Sequence, residues 1–176
     1  YAGTESIPLE GEHTIRYFAS DNVGNAEAIR TAVFTVDTTA PGITHNINGV
    51  ADGNTLAGTS TLYLTAVDPL SGVAGSSFRF DDQPFSRYAG NKLDLTSLED
   101  GPHSMEYFAE DHVGNKSQTY KFDFYYDKLA PLTASDIIGD KFLYLDKVYF
   151  SGRTKMKLTA IDNKIGVKEI KYSIDN

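Results

Sequence analysis

The sequence contains no cysteine and no tryptophan, and only two methionines among 176 residues. Without cysteine there is no disulfide framework, no thiolate zinc site and no cysteine nucleophile, a composition compatible with secretion but not restricted to it. Without tryptophan the chain lacks the broadest planar platform for a sugar. No apolar run approaches the ~18 residues that a membrane helix needs. Histidine is sparse and unpatterned: His13, His45, His103 and His112 show neither His-x-His nor His-Glu-x-x-His spacing. No serine sits in a nucleophile elbow. Glu10, Glu12, Glu99 and Asp100 could pose as paired carboxylates, but they flank turns, where they read as solvated. The residues present do not point to an enzyme.

Positive charge is scarce as well. The formal net charge is -8, and the imbalance is local: residues 1–127 carry 18 acids against 7 bases, whereas residues 128–176 carry 6 acids against 9 bases. The acidic part repels a polyanion, so nucleic acid is not an expected partner. The basic residues Lys141, Lys147, Arg153, Lys155 and Lys157 are spaced as on one face of a strand.

What the chain does have is repetition. The stretch from His13 to Asn25, His-Thr-Ile-Arg-Tyr-Phe-Ala-Ser-Asp-Asn-Val-Gly-Asn, returns without a gap ninety residues later from His103 to Asn115. Phe34 returns as Phe124, and Asp37-Thr-Thr-Ala-Pro41 as Asp127-Lys-Leu-Ala-Pro131. A second offset, of ninety-four, joins Leu64-Thr-Ala-Val-Asp-Pro-Leu-Ser-Gly-Val73 to Leu158-Thr-Ala-Ile-Asp-Asn-Lys-Ile-Gly-Val167. The expected organisation is therefore one full unit, 41–131, preceded by the C-terminal half of another, 1–40, and followed by the N-terminal half of a third, 132–176.

Each unit reads as β structure. Ile15, Tyr17 and Ala19 alternate with polar or outward residues, as do Ala32, Phe34 and Val36, which predicts a hairpin around the Asp21-Asn-Val-Gly-Asn25 turn. Ala40-Pro41 ends the second strand, since proline removes a donor. Leu62–Asp68 and Ser77–Phe80 read as further strands, Leu93, Leu95 and Leu98 as an inward-facing one, and Gly42–Thr61 as a linker with a first edge strand. No segment carries a helical period. The fold expected is all-β, an antiparallel sandwich of short strands. His13 and His103 hold the same place before their strands and are expected as packed, hydrogen-bonded corner residues. Phe18 and Phe108 lie opposite Tyr17 and Tyr107, so one member of each pair would face outward.

The sequence Leu-Thr-Ala-x-Asp-x-x-x-Gly-Val, followed by Tyr172-Ser-Ile-Asp-Asn176, by Tyr-x-Ala-x-Asp-x-x-Gly-Asn and by Val-Asp-Thr-Thr-Ala-Pro, resembles the bacterial Ig-like repeat domains of large surface and secreted proteins. The resemblance covers nearly the whole chain. It implies tandem Ig-like sandwiches at the cell surface or outside the cell, with the periplasm as a further location. It also implies a stalk, spacer or adhesin array whose partners are neighbouring repeats and a host or cell-surface protein or glycan. A second implied role is an accessory module of a secreted carbohydrate-active enzyme. Lys128-Leu129 departs from Thr38-Thr39, and Lys164-Ile165 from Leu70-Ser71, both at the second joint between units.

In an Ig-like sandwich the loop after the second strand and the loop between the last two strands share one end. Asp68, Asp111 and Asn115 would there meet the incoming Asp37, and Asp127 and Asp162 would meet at the following joint. Carboxylate and amide oxygens from several loops suit Ca²⁺, a hard cation that takes six to eight oxygens. The alternative is that each Asp caps its own turn through backbone amides. Tyr1 opens the sequence in mid-unit without an initiator Met, which reads as excision from a longer precursor. The two half-units would then be closed by further chain, or by a second molecule joined head to tail.

Overall fold

The computed structural model describes residues 3–4, 6–7 and 9–175. The expectations placed on Tyr1 and Asn176 lie outside them. The described residues form no helix and fourteen strands. These are β1 (Gly11–Tyr17), β2 (Arg30–Val36), β3 (Gly42–Asn48), β4 (Ala51–Asp52), β5 (Thr55–Ala57), β6 (Thr61–Val67) and β7 (Val73–Phe80). They continue with β8 (Ser86–Arg87), β9 (Gly101–Asp111), β10 (Tyr120–Asp127), β11 (Leu132–Ile138), β12 (Lys141–Tyr144), β13 (Lys147–Phe150) and β14 (Lys155–Ile161). One sheet has six strands in the order β4-β5-β10-β9-β7-β8, and the pairs β1-β2, β3-β6, β11-β14 and β12-β13 stand as two-stranded sheets. The fold is all-β with several antiparallel sheets, consistent with a β-sandwich. One pair differs from the expected antiparallel pattern: β5 runs parallel to β10.

Contacts divide the chain into two units. The first comprises the chain through Asn46 with Leu62–Leu93 and Ser104–Phe122; the second comprises Ile47–Thr61, Asp94–His103 and the chain from Asp123 onward. In the first unit Ile43, Leu62, Leu64, Met105, Tyr107 and Phe122 are buried. In the second, Leu56, Leu95, Phe124 and Tyr126 are buried. Alternation sets this pattern, because successive side chains of a strand point to opposite faces: Met105, Tyr107, Ala109 and Asp111 of β9 all go inward.

Two sequence readings need correction. Gly42–Thr61 is not a linker with one edge strand but β3, β4 and β5. β4 and β5 are too short for alternation to show, and Gly49 lets the chain pass close to Ser60. At φ 125° it lies where a side chain is strained, and a Cβ there would come within 2.8 Å of the Ser60 Cα. Leu93, Leu95 and Leu98 do not form a regular strand. Leu93 makes an isolated bridge to Leu62, and Leu93 and Leu95 are buried from irregular backbone.

The change of offset from ninety to ninety-four has a location. Ala57 N–H donates to Val50 O and Ser60 N–H to Ala57 O; the same bonds recur from Ser151 to Asp140 and from Thr154 to Ser151. The four added residues thus belong to the β12–β13 hairpin. Its tip, Leu145-Asp146, has positive φ at both residues, as a two-residue type I′ turn requires.

Residues at matching positions differ sharply in burial. Met105 is 0% exposed and Ile15 41%; Tyr107 is 5% and Tyr17 49%; Leu62 is 0% and Met156 59%. Met105→Ala should therefore cost about 2–5 kcal/mol, the range for emptying a buried Met or Leu site, and Ile15→Ala under about 1 kcal/mol. Urea unfolding of the two variants measures the difference.

Candidate functional site

The turns that carry the repeated Asp build the same structure wherever they occur. Asp21 Oδ1 accepts the N–H groups of Val23 at 3.0 Å and Asn25 at 2.8 Å, while Asn25 Nδ2 donates to Asp21 Oδ2 at 2.8 Å. Asp111 repeats this with Val113 at 2.9 Å, Asn115 at 2.8 Å and Asn115 Nδ2 at 2.7 Å. Gly24 and Gly114 sit at φ 93° and 94°, a backbone that glycine adopts without strain. The turns after the strands with Leu-Thr-Ala behave alike. Asp68 Oδ1 accepts from Leu70 and Gly72, and Asp162 Oδ2 from Lys164 and Gly166. Each of these carboxylates thus caps its own turn.

The first unit adds a joint to these turns. Asp37 follows β2, and its Oδ2 accepts the Ser71 N–H at 2.9 Å while its Oδ1 accepts the Thr39 N–H at 3.0 Å. Asn115 Nδ2 reaches across to donate to Asp37 O at 3.1 Å and Thr39 O at 3.5 Å. His112 Nδ1 lies 2.9 Å from Ser71 O and 3.0 Å from Gly72 O, which ties the Asp111 turn to the Asp68 turn. From the other side Glu10 Oε2 accepts Thr38 N–H at 3.3 Å, Thr38 Oγ1 at 3.0 Å and Thr39 Oγ1. The segment after β2 is held from both sides.

The acids meet here. Oxygens of Asp37, Asp68 and Asp111 all lie within 4.8 Å of one another, the one such group among the described residues. Asp68 Oδ2 is buried without a hydrogen-bond partner. The expected ligand Asn115 is beside them, but its described bonds come from its amide nitrogen.

The second unit assembles different partners. Asp127 is buried, with its Oδ1 unpartnered. Asp100 Oδ1 accepts the Lys128 N–H at 3.0 Å, and its Oδ2 accepts Asn163 Nδ2 at 2.8 Å and the Tyr125 hydroxyl at 3.3 Å. Asp127 and Asp162 therefore belong to one neighbourhood with Asp100, but not to a group as tight as the first.

Sequence reasoning missed Glu10 and Asp100, which read as solvated. Both accept hydrogen bonds from the segment that follows the next strand but one. The available signal was their spacing: they are ninety residues apart, both carboxylates, each three residues before the repeated His. Those histidines stand as expected, Nε2 to Leu9 O at 2.6 Å for His13 and to Glu99 O at 2.9 Å for His103, each ring tilted over Phe34 or Phe124. Phe108 faces outward, but Lys116 Nζ lies 3.5 Å from its ring centroid and Phe85 packs on it at 5.1 Å, so it offers no bare platform.

Neither a known protein family, nor a curated protein, nor a solved structure matches this chain.

Electrostatics separate the two neighbourhoods. The Ser71 hydroxyl beside Asp37, with the N–H groups of Thr39 and Ser71, holds the Asp37 carboxyl below its usual value. Burial works to raise Asp111, but the Asn115 amide and the N–H groups of Asn115, Val113 and Gly114 outweigh it and leave it lowered. Asp127 goes the other way: burial raises it first, and the charges of Asp162 and Asp100 add to the rise. A lowered carboxyl contributes stability that is present above the unfolded value and lost as pH falls through the folded one. A raised carboxyl carries a penalty that is present at neutral pH and relieved as pH falls through its folded value. Acidification from pH 7 should first firm the backbone around Asp127 and only then loosen that around Asp37 and Asp111. Amide exchange followed residue by residue tests the order, and Asp127→Asn should remove the first phase alone.

Proposed function

We propose that this chain is a structural segment, a stalk or spacer array, of a long extracellular or surface-anchored repeat protein built from tandem Ig-like sandwiches with the divisions 1–40, 41–131 and 132–176. One observation carries the reading. The few residues after β2 are pinned by Asn115 and Ser71 on one side and Glu10 on the other, and Pro41 within them restricts φ. A spacer needs joints of this kind, because a flexible linker would let adjacent sandwiches swing independently. An adhesive contact with a host or cell-surface protein or glycan is the companion role, borne by such an array rather than by a pocket of its own.

Asn115 is the test residue. Asn115→Ala should raise proteolytic cleavage within residues 38–42 several-fold, since nicking follows local opening. Asn25→Ala, whose described bond stays within its own turn, should leave that cleavage unchanged. NMR relaxation should show residues 11–36 and the Asp111–Asn115 turn tumbling together in the unmodified chain and separating in Asn115→Ala. Independent tumbling in both would reject the spacer reading.

Ca²⁺ is the cofactor proposed for the joint. The reading starts from Asp68 Oδ2, buried without a hydrogen-bond partner, and from the hard-oxygen chemistry of Ca²⁺. Asp37, Asp68 and Asp111 would supply carboxylate oxygens and Asn115 its amide oxygen, with Asp127 and Asp162 forming a weaker site beside Lys128 and Lys164. Calorimetric titration with CaCl₂ should give binding that Asp68→Asn abolishes. A melting curve unmoved by chelator, with no heat of binding, removes the ion while leaving the hydrogen-bonded joint intact.

A further inference from the structure

The outer edge of β7 is closed by a side chain. β8 is the last strand on that side of the sheet and pairs with β7 only at Ser77 and Phe78, opposite Arg87 and Ser86. Tyr88 N–H extends the ladder by donating to Ser76 O at 2.8 Å. Backbone groups of a strand alternate between its two neighbours, so the next acceptor along this edge is Ala74 O. It is met not by a backbone group but by Arg87 Nη2, which donates to it at 2.6 Å. The guanidinium stands where the N–H of an added strand would stand. We propose that Arg87, laid over Gly75, is a guard that keeps the β7 edge from pairing with the same edge of a second copy of this chain.

Three observations carry this. The first is the glycine beneath the guard. Gly75 is not among the residues with positive φ, so its backbone does not call for glycine, and the offset of ninety-four places Glu169 at the matching position. What excludes a side chain at 75 is Arg87: a Cβ there would lie 2.7 Å from its Nη2 and 2.9 Å from its Cζ. The glycine lets the guanidinium approach the strand closely.

The second is a bulge at the same place. β9 sets Asp111 opposite Val73 and the adjoining Glu110 opposite Gly75, which leaves Ala74 opposite no residue. A bulge bends an edge away from further pairing, but it also leaves a carbonyl to be satisfied from outside the ladder. Arg87 supplies the donor, and the bulge and the arginine act on one residue.

The third is what the edge would be without the guard. Residues 73–76, Val-Ala-Gly-Ser, carry no charge, and the space beside them is an open groove of about 160 Å³ to which Gly75, Ser77 and Phe108 contribute. Small side chains at 75 and 77 leave an incoming strand room. Two copies of one edge are self-complementary when they meet antiparallel about a twofold axis, which makes a second copy the partner to be kept away. With the arginine in place the same approach brings two guanidinium groups together, and like charges oppose it. The inference rests on this edge and not on the spacer role.

Two variants remove the guard by different routes. Arg87 is exposed, so Arg87→Ala should fold, and in sedimentation equilibrium its self-association constant should exceed that of the unmodified chain by about tenfold or more, the change that one net hydrogen bond makes. Gly75→Ala keeps the arginine but displaces the flexible end of its side chain, and should raise association in the same direction. Lys92→Ala removes an equal charge at another exposed residue and should sediment as the unmodified chain does. Amide exchange at residues 73–76 should slow with rising concentration in the two edge variants and not in the unmodified chain. Edge variants that associate no more than the unmodified chain, or a Lys92→Ala that associates as they do, overturn the proposal.

Discussion

The interaction on which the rest depends is a carboxylate that satisfies the backbone amides of its own turn. In Asp-x-Val-Gly-Asn the Asp takes two N–H groups and the Asn amide. A tight turn would otherwise leave those donors unpaired at a part-buried position, at a cost of about 1–3 kcal/mol each. With the turn fixed internally, the Asn amide keeps a second hydrogen free, and in the first unit that hydrogen holds the passing backbone at Asp37. The same five-residue turn thus closes a hairpin and presents a peg. The hairpin of β1 and β2 makes the first use at Asp21 with no described second one; the hairpin of β9 and β10 makes both.

This economy explains what was legible in the sequence. The turns and the two histidine corners recur at a fixed offset and the strand faces of β9 and β10 alternate, so spacing and periodicity announced them. All-β character followed from alternation in Ile15, Tyr17, Ala19 and in Leu62, Leu64, Ala66. The part of 42–61 after β3 was opaque because its order comes from the short β4 and β5 and from a close approach of Gly49 to Ser60, neither of which leaves a hydrophobic period. The parallel pairing of β5 with β10 was hidden for a related reason: three residues carry it, and nothing local distinguishes parallel from antiparallel at that length.

The site was legible in composition but not in role. Asp37, Asp68, Asp111 and Asn115 do meet, as loop topology requires. What spacing could not tell was which atoms of each acid are already committed to backbone donors, because that depends on turn geometry. Glu10 and Asp100 show the converse. A carboxylate beside a turn looks solvated in sequence, and only the path of the chain twenty-eight residues later brings Thr38 or Lys128 to it.

The two neighbourhoods then differ for a reason that can be traced to parts. A joint of the first kind draws on three: an acid at the end of a strand, a capped Asp turn from the strand with Leu-Thr-Ala, and an Asp-x-Val-Gly-Asn turn. At Asp37 all three are present, through Asp68 and Asp111, and Ser71 and Thr39 donate to its carboxylate. At Asp127 the Asp162 turn is present, but the place of Ser71 falls on Ile165. Two acids face Asp127 there, and one of its buried oxygens has no donor. The carboxyl shift therefore runs down at Asp37, where Ser71 and Thr39 donate, and up at Asp127, where burial and the charges of Asp162 and Asp100 add.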